Sequence, residues 1–262
     1  MMDSRTAGLV LAGGRGRRMV AIGQPVAGQN QACHPFAGHP FVGIGDQKPA
    51  SAQSGTQTAA DRRDGPAVSN PVTENPNSDP GTDKPLLTVG GRTMLAAVIA
   101  ALDLPHIAIS ANGDPARFAS FGRPVLPDGA FQGQGPLAGV LAGLEWAASL
   151  GMTALLTAPG DMPFLPKGLA RALAPAPAGV SSHGQRHHLV ALWPVACTSG
   201  LRRLLSAPGR RQVGYFAECI GMRYVDFAVP TRDPFANVNT RDDLMRARTS
   251  ADEDQGRGSG KN

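Results

Sequence analysis

Residues Leu11–Met19 read Leu-Ala-Gly-Gly-Arg-Gly-Arg-Arg-Met and follow directly on the apolar run Ala7-Gly8-Leu9-Val10. Glycines let backbone N–H groups turn inward and approach an anion closely. Arginines add fixed positive charge and bidentate donors for phosphate. The combination asks for a nucleotide polyphosphate. It is not a Walker loop, since Arg17 follows Gly16 where Lys-Ser/Thr would stand. It is not a dinucleotide fingerprint either, since the third glycine of Gly-x-Gly-x-x-Gly is missing. Further on, Asp83-Lys84-Pro85 offers a lysine point charge suited to the same ligand. Asp161 lies in Pro159-Gly160-Asp161-Met162-Pro163, a turn fixed by Gly and Pro after an expected strand. A carboxylate there suits Mg²⁺, or else caps the next helix.

Three more segments carry polar groups at expected element ends. Asp128, in Pro127-Asp128-Gly129, either assists the nucleotide or its metal or simply makes a turn. Gln134-Gly135-Pro136-Leu137-Ala138-Gly139 opens a helix whose unpaired N–H groups and glycines admit a flat ligand. Asn112 follows a short strand, where its amide reads a base edge or a ribose or serves a turn. Asn237 and Asn239 precede a last helix, which one of them caps unless both face a ligand.

The elements that must position these residues alternate in period. Strands are expected at Ala7–Leu11, Ile107–Ser110, Val125–Leu126, Thr153–Thr157, His188–Trp193 and Arg223–Phe227. Helices are expected at Thr93–Leu102, Pro115–Phe121, Leu137–Leu150, Lys167–Leu173 and Thr198–Leu205, and from Thr240, with Asp243 three residues on as a partial capping box. Such alternation predicts a three-layer α/β sandwich with a mostly parallel sheet, whose ligands lie beyond the carboxyl ends of the strands.

One stretch stands apart. Val20–Thr82 has no Leu, Met, Trp or Tyr and eight prolines among many Gln, Ser, Asn and Thr. It cannot bury enough apolar area to offset its ordering entropy. We therefore expect a single domain over 1–248, interrupted by a disordered insertion at 20–82 and followed by a disordered tail, 249–262. With the insertion looped out, Asp83-Lys84 comes one residue after Met19, and the two phosphate-binding fragments form one unit.

Composition narrows the function classes. The 262 residues are 42% hydrophobic, enough for a real core, and carry a formal charge of +5. That balance suits an anionic ligand. Nucleic acid is not expected, with no lysine-rich run and only two Tyr and two Trp. The three cysteines are widely spaced and odd in number, which fits a reducing cytoplasm. The apolar run near the N-terminus is too short for a signal peptide. The longest apolar-rich stretch, Pro136–Ala158, is broken by Glu145 and glycines, so no membrane span is expected.

Leu-Ala-Gly-Gly with its arginines, joined to Lys84-Pro85, resembles the nucleotidyltransferase signature. Taken with Gly135-Pro136-Leu137-Ala138-Gly139 and Asn237-Val238-Asn239-Thr240, the pieces in this order resemble the molybdenum cofactor guanylyltransferase family, the MobA type. The related cytidylyltransferases usually carry a Ser-rich segment in place of Gly135–Gly139. A cytidylyltransferase, another nucleotidyltransferase and a non-catalytic nucleotide-binding homologue are the competing readings. The resemblance implies a Rossmann-like nucleotidyltransferase fold, GTP and Mg²⁺ as ligands, molybdopterin bearing molybdenum as acceptor, and pyrophosphate as the released product. It also implies cytoplasmic partners, namely molybdenum-insertion proteins and molybdoenzyme chaperones. Leu11, Ala12 and Gly13 match the family's GTP loop, Lys84 its nucleotide-binding lysine, Asp128 a GTP-contacting aspartate and Asp161 the Mg²⁺ ligand. Ser110-Ala111-Asn112 stands where members often have Asn-Ala-Asn, so Ser110 occupies the place of one GTP contact and Asn112 follows it. Arg18 and Lys84 are expected to hold charge on the β- and γ-phosphates, and Arg210 and Arg211 to hold the pterin phosphate.

Overall fold

The first strand, β1 (Thr6–Leu11), is buried on both faces. Ala7 and Leu9 pack to one side of it, and Val10 and Ala12 to the other. A strand apolar on both faces belongs in the middle of a sheet covered by helices, and β1 lies there. This computed structural model describes residues 5–12, 83–229, 232–240, 242–247 and 249. Gly13, Arg18, the expected insertion 20–82 and most of the tail lie outside the described residues. All the described residues belong to one compact unit.

After a short hairpin of β2 (Thr88–Val89) and β3 (Arg92–Thr93), the chain enters α1 (Met94–Leu102). The Thr93 hydroxyl caps α1 by accepting from the Ala96 N–H at 3.2 Å. Next come β4 (Ile107–Ser110), a 3-10 turn at Pro115–Phe121, β5 (Val125–Leu126) and α2 (Pro136–Ser149). Gly135 precedes α2 with φ +88°, a conformation that excludes a side chain, and Pro136 starts the helix. Then follow β6 (Ala154–Pro159), α3 (Leu169–Leu173), β7 (Ala178–Ser182), β8 (Gln185–Pro194), α4 (Thr198–Ser206), α5 (Val213–Cys219) and β9 (Arg223–Asp226).

The main sheet has the order β5-β4-β1-β6-β8-β7-β9. β8 is antiparallel to both its neighbours, while all the other pairs are parallel. Helices α1 and α3 cover one face with Leu95, Val98, Leu102, Leu169 and Leu173. Helices α2, α4 and α5 cover the other with Leu137, Leu141, Leu144, Leu201 and Phe216. This is the three-layer, mostly parallel mixed sheet that the alternation predicts. Gly143 lets α2 lie close: a Cβ there would meet Leu9 Cδ2 at 2.5 Å and Leu155 Cδ2 at 2.9 Å. A polar group in the core, Thr157, has its needs met. The buried Thr157 hydroxyl donates to the Leu189 carbonyl at 2.8 Å and accepts from Trp193 Nε1 at 2.8 Å, tying β6 to β8.

The expected elements are found within a few residues of their places. Among the described residues, the β2–β3 hairpin, β7 and α5 are additional strands and helices. The Ala178-Gly179-Val180-Ser181-Ser182 sequence of β7 carries only one β-branched apolar residue, so its strand character comes from pairing between β8 and β9. Among the described residues, no helix is long and apolar enough to cross a membrane.

Candidate active site

β1 stands between β4 and β6, and successive strands depart from it in opposite directions. In an open parallel sheet the crevice at such a reversal, outside the carboxyl ends, is where ligands bind. The chain brings its polar candidates there. Leu11 ends β1 opposite Pro159 of β6 and Ser110 of β4. The next N–H, that of Ala12, donates to the Ser110 carbonyl at 2.9 Å, and the Gly160 N–H donates to the Leu11 carbonyl at 3.0 Å. Asp161 follows immediately.

Lys84 arrives from a different direction. It begins a 3-10 turn, Lys84–Leu86, in which Pro85 is buried. A Cβ on Gly160 would lie 3.2 Å from Pro85 Cβ and 3.3 Å from the Leu11 carbonyl oxygen. The glycine therefore lets Pro85 seat against the end of β1, and this packing sets Lys84 over Asp161. Lys84 Nζ donates to Asp161 Oδ2 at 3.0 Å and also to the Asn239 side-chain oxygen. Asn239 is held from behind, because the Val238 N–H donates to the Asp161 carbonyl at 2.9 Å.

A second polar pair lies at the ends of β4 and β5. Asn112 Nδ2 donates to Asp128 Oδ2 at 2.7 Å, and its Oδ1 accepts the Asp128 N–H at 3.0 Å. The two bonds fix the orientation of the amide. Burial pushes the Asp128 carboxyl above the ordinary aspartate value, and the Asn112 hydrogen bond partly opposes that rise. The start of α2 closes over this pair. A Cβ on Gly139 would collide with Ser110 Oγ and lie 3.4 Å from Asp128 Oδ1, so only glycine allows the helix this close. Ser110 is buried beneath it. Arg117 joins the two groups: its guanidinium pairs with Asp83, beside Lys84, and donates to the Asn112 carbonyl at 2.6 Å.

Of the residues expected to act together, the structure gathers Leu11, Ala12, Lys84, Ser110, Asn112, Asp128 and Asp161 at one end of the sheet. Gly13 and Arg18 lie outside the described residues. Arg210 and Arg211 make other contacts: Arg210 lies over the Tyr215 ring, and Arg211 donates to the carbonyls of Leu205 and Ala207 at the end of α4. Sequence reasoning left Asn239 undecided between capping and a ligand role. The structure gives the cap to Thr240 and Asp243, whose side chains each accept from the other's backbone N–H, and leaves the Asn239 side chain on Lys84. Arg117 was not foreseen, since a lone arginine in a 3-10 turn carries no local signal.

Oxygen donors and one lysine at strand ends suit a nucleotide-borne hard cation better than a resident metal. Asp161 and Asn239 supply one carboxylate and one amide oxygen, and Mg²⁺ is commonly held by one or two carboxylates with substrate phosphates completing its shell. Among the described residues, no three His, Cys, Asp or Glu side chains converge as a metal cage.

The model of the MobA-like NTP transferase domain matches residues 78–218. A molybdenum cofactor guanylyltransferase of Acidiphilium cryptum (strain JF-5) is 56% identical over 169 residues, covering 64% of this chain and 86% of its own. One from Rhodopseudomonas palustris (strain HaA2) is 44% identical over 178 residues, with 64% and 83% covered. The same fold is seen in the crystal structure of an Rv0371c homologue from Mycobacterium sp. strain JC1, with a TM-score of 0.53, 15% identity, and 96% of this chain and 99% of that one covered. With a strand-end site of this make-up and relatives this similar over most of their length, the chain belongs to the molybdenum cofactor guanylyltransferases of the MobA-like NTP transferase family.

Proposed function

We propose that the chain transfers GMP from GTP to molybdopterin bearing molybdenum, forming the guanine dinucleotide cofactor and releasing pyrophosphate. The observation that carries this reading is the meeting of Lys84, Asp161 and Asn239 at the carboxyl ends of β1 and β6, beside the Asn112–Asp128 pair. The terminal phosphate of the acceptor is already anionic, so its attack on the α-phosphorus needs no general base. The protein's task is alignment and neutralisation of crowded negative charge.

Lys84 meets the β- and γ-phosphates and stabilises the departing pyrophosphate, together with Arg18. The Ala12 N–H, which donates to the Ser110 carbonyl, is not among the donors to the polyphosphate. Asp128, Asn112 and Ser110 hold the nucleoside side of GTP. Asp161 and Asn239 would hold Mg²⁺ delivered with GTP, and the ion supplies Lewis-acid charge and a template for the phosphates. On this reading the enzyme works in the cytoplasm, between molybdenum-insertion proteins and molybdoenzyme chaperones.

Incubation with each of the four nucleoside triphosphates, Mg²⁺ and molybdenum-loaded molybdopterin, with the product identified by mass, tests the proposal. A GMP adduct formed from GTP, and lost in Asp161→Ala with the fold retained by circular dichroism, is expected. Preferential use of CTP would overturn the guanylyl assignment, and full activity of Asp161→Ala would remove its metal role.

A further inference from the structure

The segment 232–240 lies between β9 and Asp161, and its far end is fastened by a polar chain whose groups take no direct part in the chemistry described above. Asp233 Oδ1 accepts the Phe235 N–H at 2.9 Å, and its Oδ2 accepts from Ser182 Oγ at 2.9 Å. Ser182 ends β7, is wholly buried, and lies 2.7 Å from His187 Nε2. A serine hydroxyl has one proton, and here it goes to the carboxylate. His187 must therefore carry its proton on Nε2 and donate it to Ser182. The result is a directed chain, His187 N–H to Ser182 O–H to Asp233 carboxylate. It lies beside Phe235, which is buried with its ring 5.4 Å from that of His187 and 5.1 Å from that of Phe227.

Apolar packing of Phe235 would by itself keep the segment on the sheet. The hydrogen-bonded chain adds direction and register, because each donor has one acceptor. Five and six residues beyond Asp233, that register puts the Val238 N–H on the Asp161 carbonyl and the Asn239 side-chain oxygen on Lys84. We propose that Ser182, His187 and Asp233 are positioning residues for the transfer reaction, holding Asn239 against the Lys84–Asp161 pair through the 232–240 segment. This rests on the catalytic reading given above. Asp233→Asn is the sharpest perturbation: both carboxylate oxygens accept hydrogen bonds, and an amide faces one of the two donors with its own N–H₂.

The test is a double-mutant cycle of Asp233→Asn with Asn239→Ala in the full-length chain. Readouts are Mg²⁺-dependent nucleotide affinity by calorimetry, kcat and KM for transfer, and Tm. Each single variant is expected to lower kcat/KM at least fivefold. The double variant should be no worse than the more impaired single one, since both remove the same positioned group. Effects that multiply, or an Asp233→Asn protein with wild-type affinity and kcat/KM, would overturn the proposal. Ser182→Ala provides a second cycle, and Asp233, at 23% side-chain exposure, gives a variant that does not empty the core. The cycle is run with whichever nucleoside triphosphate the wild type turns over. A wild type that prefers CTP then overturns the guanylyl reading alone, while additivity overturns the positioning role alone.

Discussion

Replacing Lys84 with methionine should move two affinities in opposite directions. Lys84 Nζ lies 3.0 Å from Asp161 Oδ2, with the two side chains 35% and 22% exposed. At that distance the attraction is about 1.4 kcal/mol at the dielectric of water and about 5.5 kcal/mol at an effective value near 20. Any cation that takes the Asp161 carboxylate without nucleotide must displace the ammonium, and because the freed ammonium regains its hydration the lower figure sets the ceiling of the effect. Lys84→Met should therefore bind Mn²⁺ more tightly than the wild type in the absence of nucleotide, by up to about tenfold. GTP binding should weaken, since a hydrogen bond to a charged group contributes about 1.5–3 kcal/mol, or roughly 10- to 100-fold. Stability should hardly change, because an ion pair this exposed contributes at most about 1 kcal/mol. Electron paramagnetic resonance of free Mn²⁺ reads the first affinity, and calorimetric titration with GTP in Mg²⁺ reads the second. A variant that binds Mn²⁺ no more tightly, or GTP no more weakly, refutes the arrangement in which one lysine serves carboxylate and phosphate in turn.

Gly143→Ala should cost about 1–3 kcal/mol of stability by denaturant titration, because its methyl group would press on the buried Leu9 and Leu155 side chains; an unchanged midpoint would mean that α2 has room to move off the sheet. Asp128→Asn should keep or raise Tm at neutral pH while weakening GTP binding. The sign follows from the raised carboxyl: its folded pKa lies above the unfolded one, so the ionised form opposes folding above that pKa. The advantage of the amide should shrink as pH falls through the folded pKa and the wild-type carboxyl becomes neutral. A Tm several degrees lower at neutral pH would show that the Asn112 pairing outweighs the cost of burial.

How far the sequence could be read depended on whether a residue's signal was local. Apolar periodicity located β1, β4, β6 and α2, because strands and helices this buried show their period in a short window. The union of Leu11–Met19 with Asp83–Leu87 was legible only once the residues between Met19 and Asp83 were set aside, and no local window reveals the Lys84–Asp161 meeting, which joins residues 77 positions apart. β7 escaped notice because Gly179 and two serines give it little propensity, and its partners β8 and β9 supply what its own residues lack. Asn239 was ambiguous for a physical reason: Asn, Thr and Asp all cap helices, and only the three-dimensional arrangement shows that Thr240 and Asp243 satisfy one another. Ser182 and His187 lay outside every expected strand, and the Ser182 link to Asp233 joins residues 51 positions apart.

Gly160 is the shared resting place of two chain segments that the sequence holds far apart. Its missing side chain receives the Leu11 carbonyl from one and Pro85 from the other. Leu11 and Pro85, on either side of residues 13–82, are thus held at a single anchored point. Closing a loop costs only about 0.6 kcal/mol extra per doubling of its length. Growth or shrinkage of the chain at this point therefore imposes a gentle, logarithmic burden on the fold, and the spacing between Leu11 and Lys84 in space is set by a glycine instead of by the number of residues that separate them in sequence.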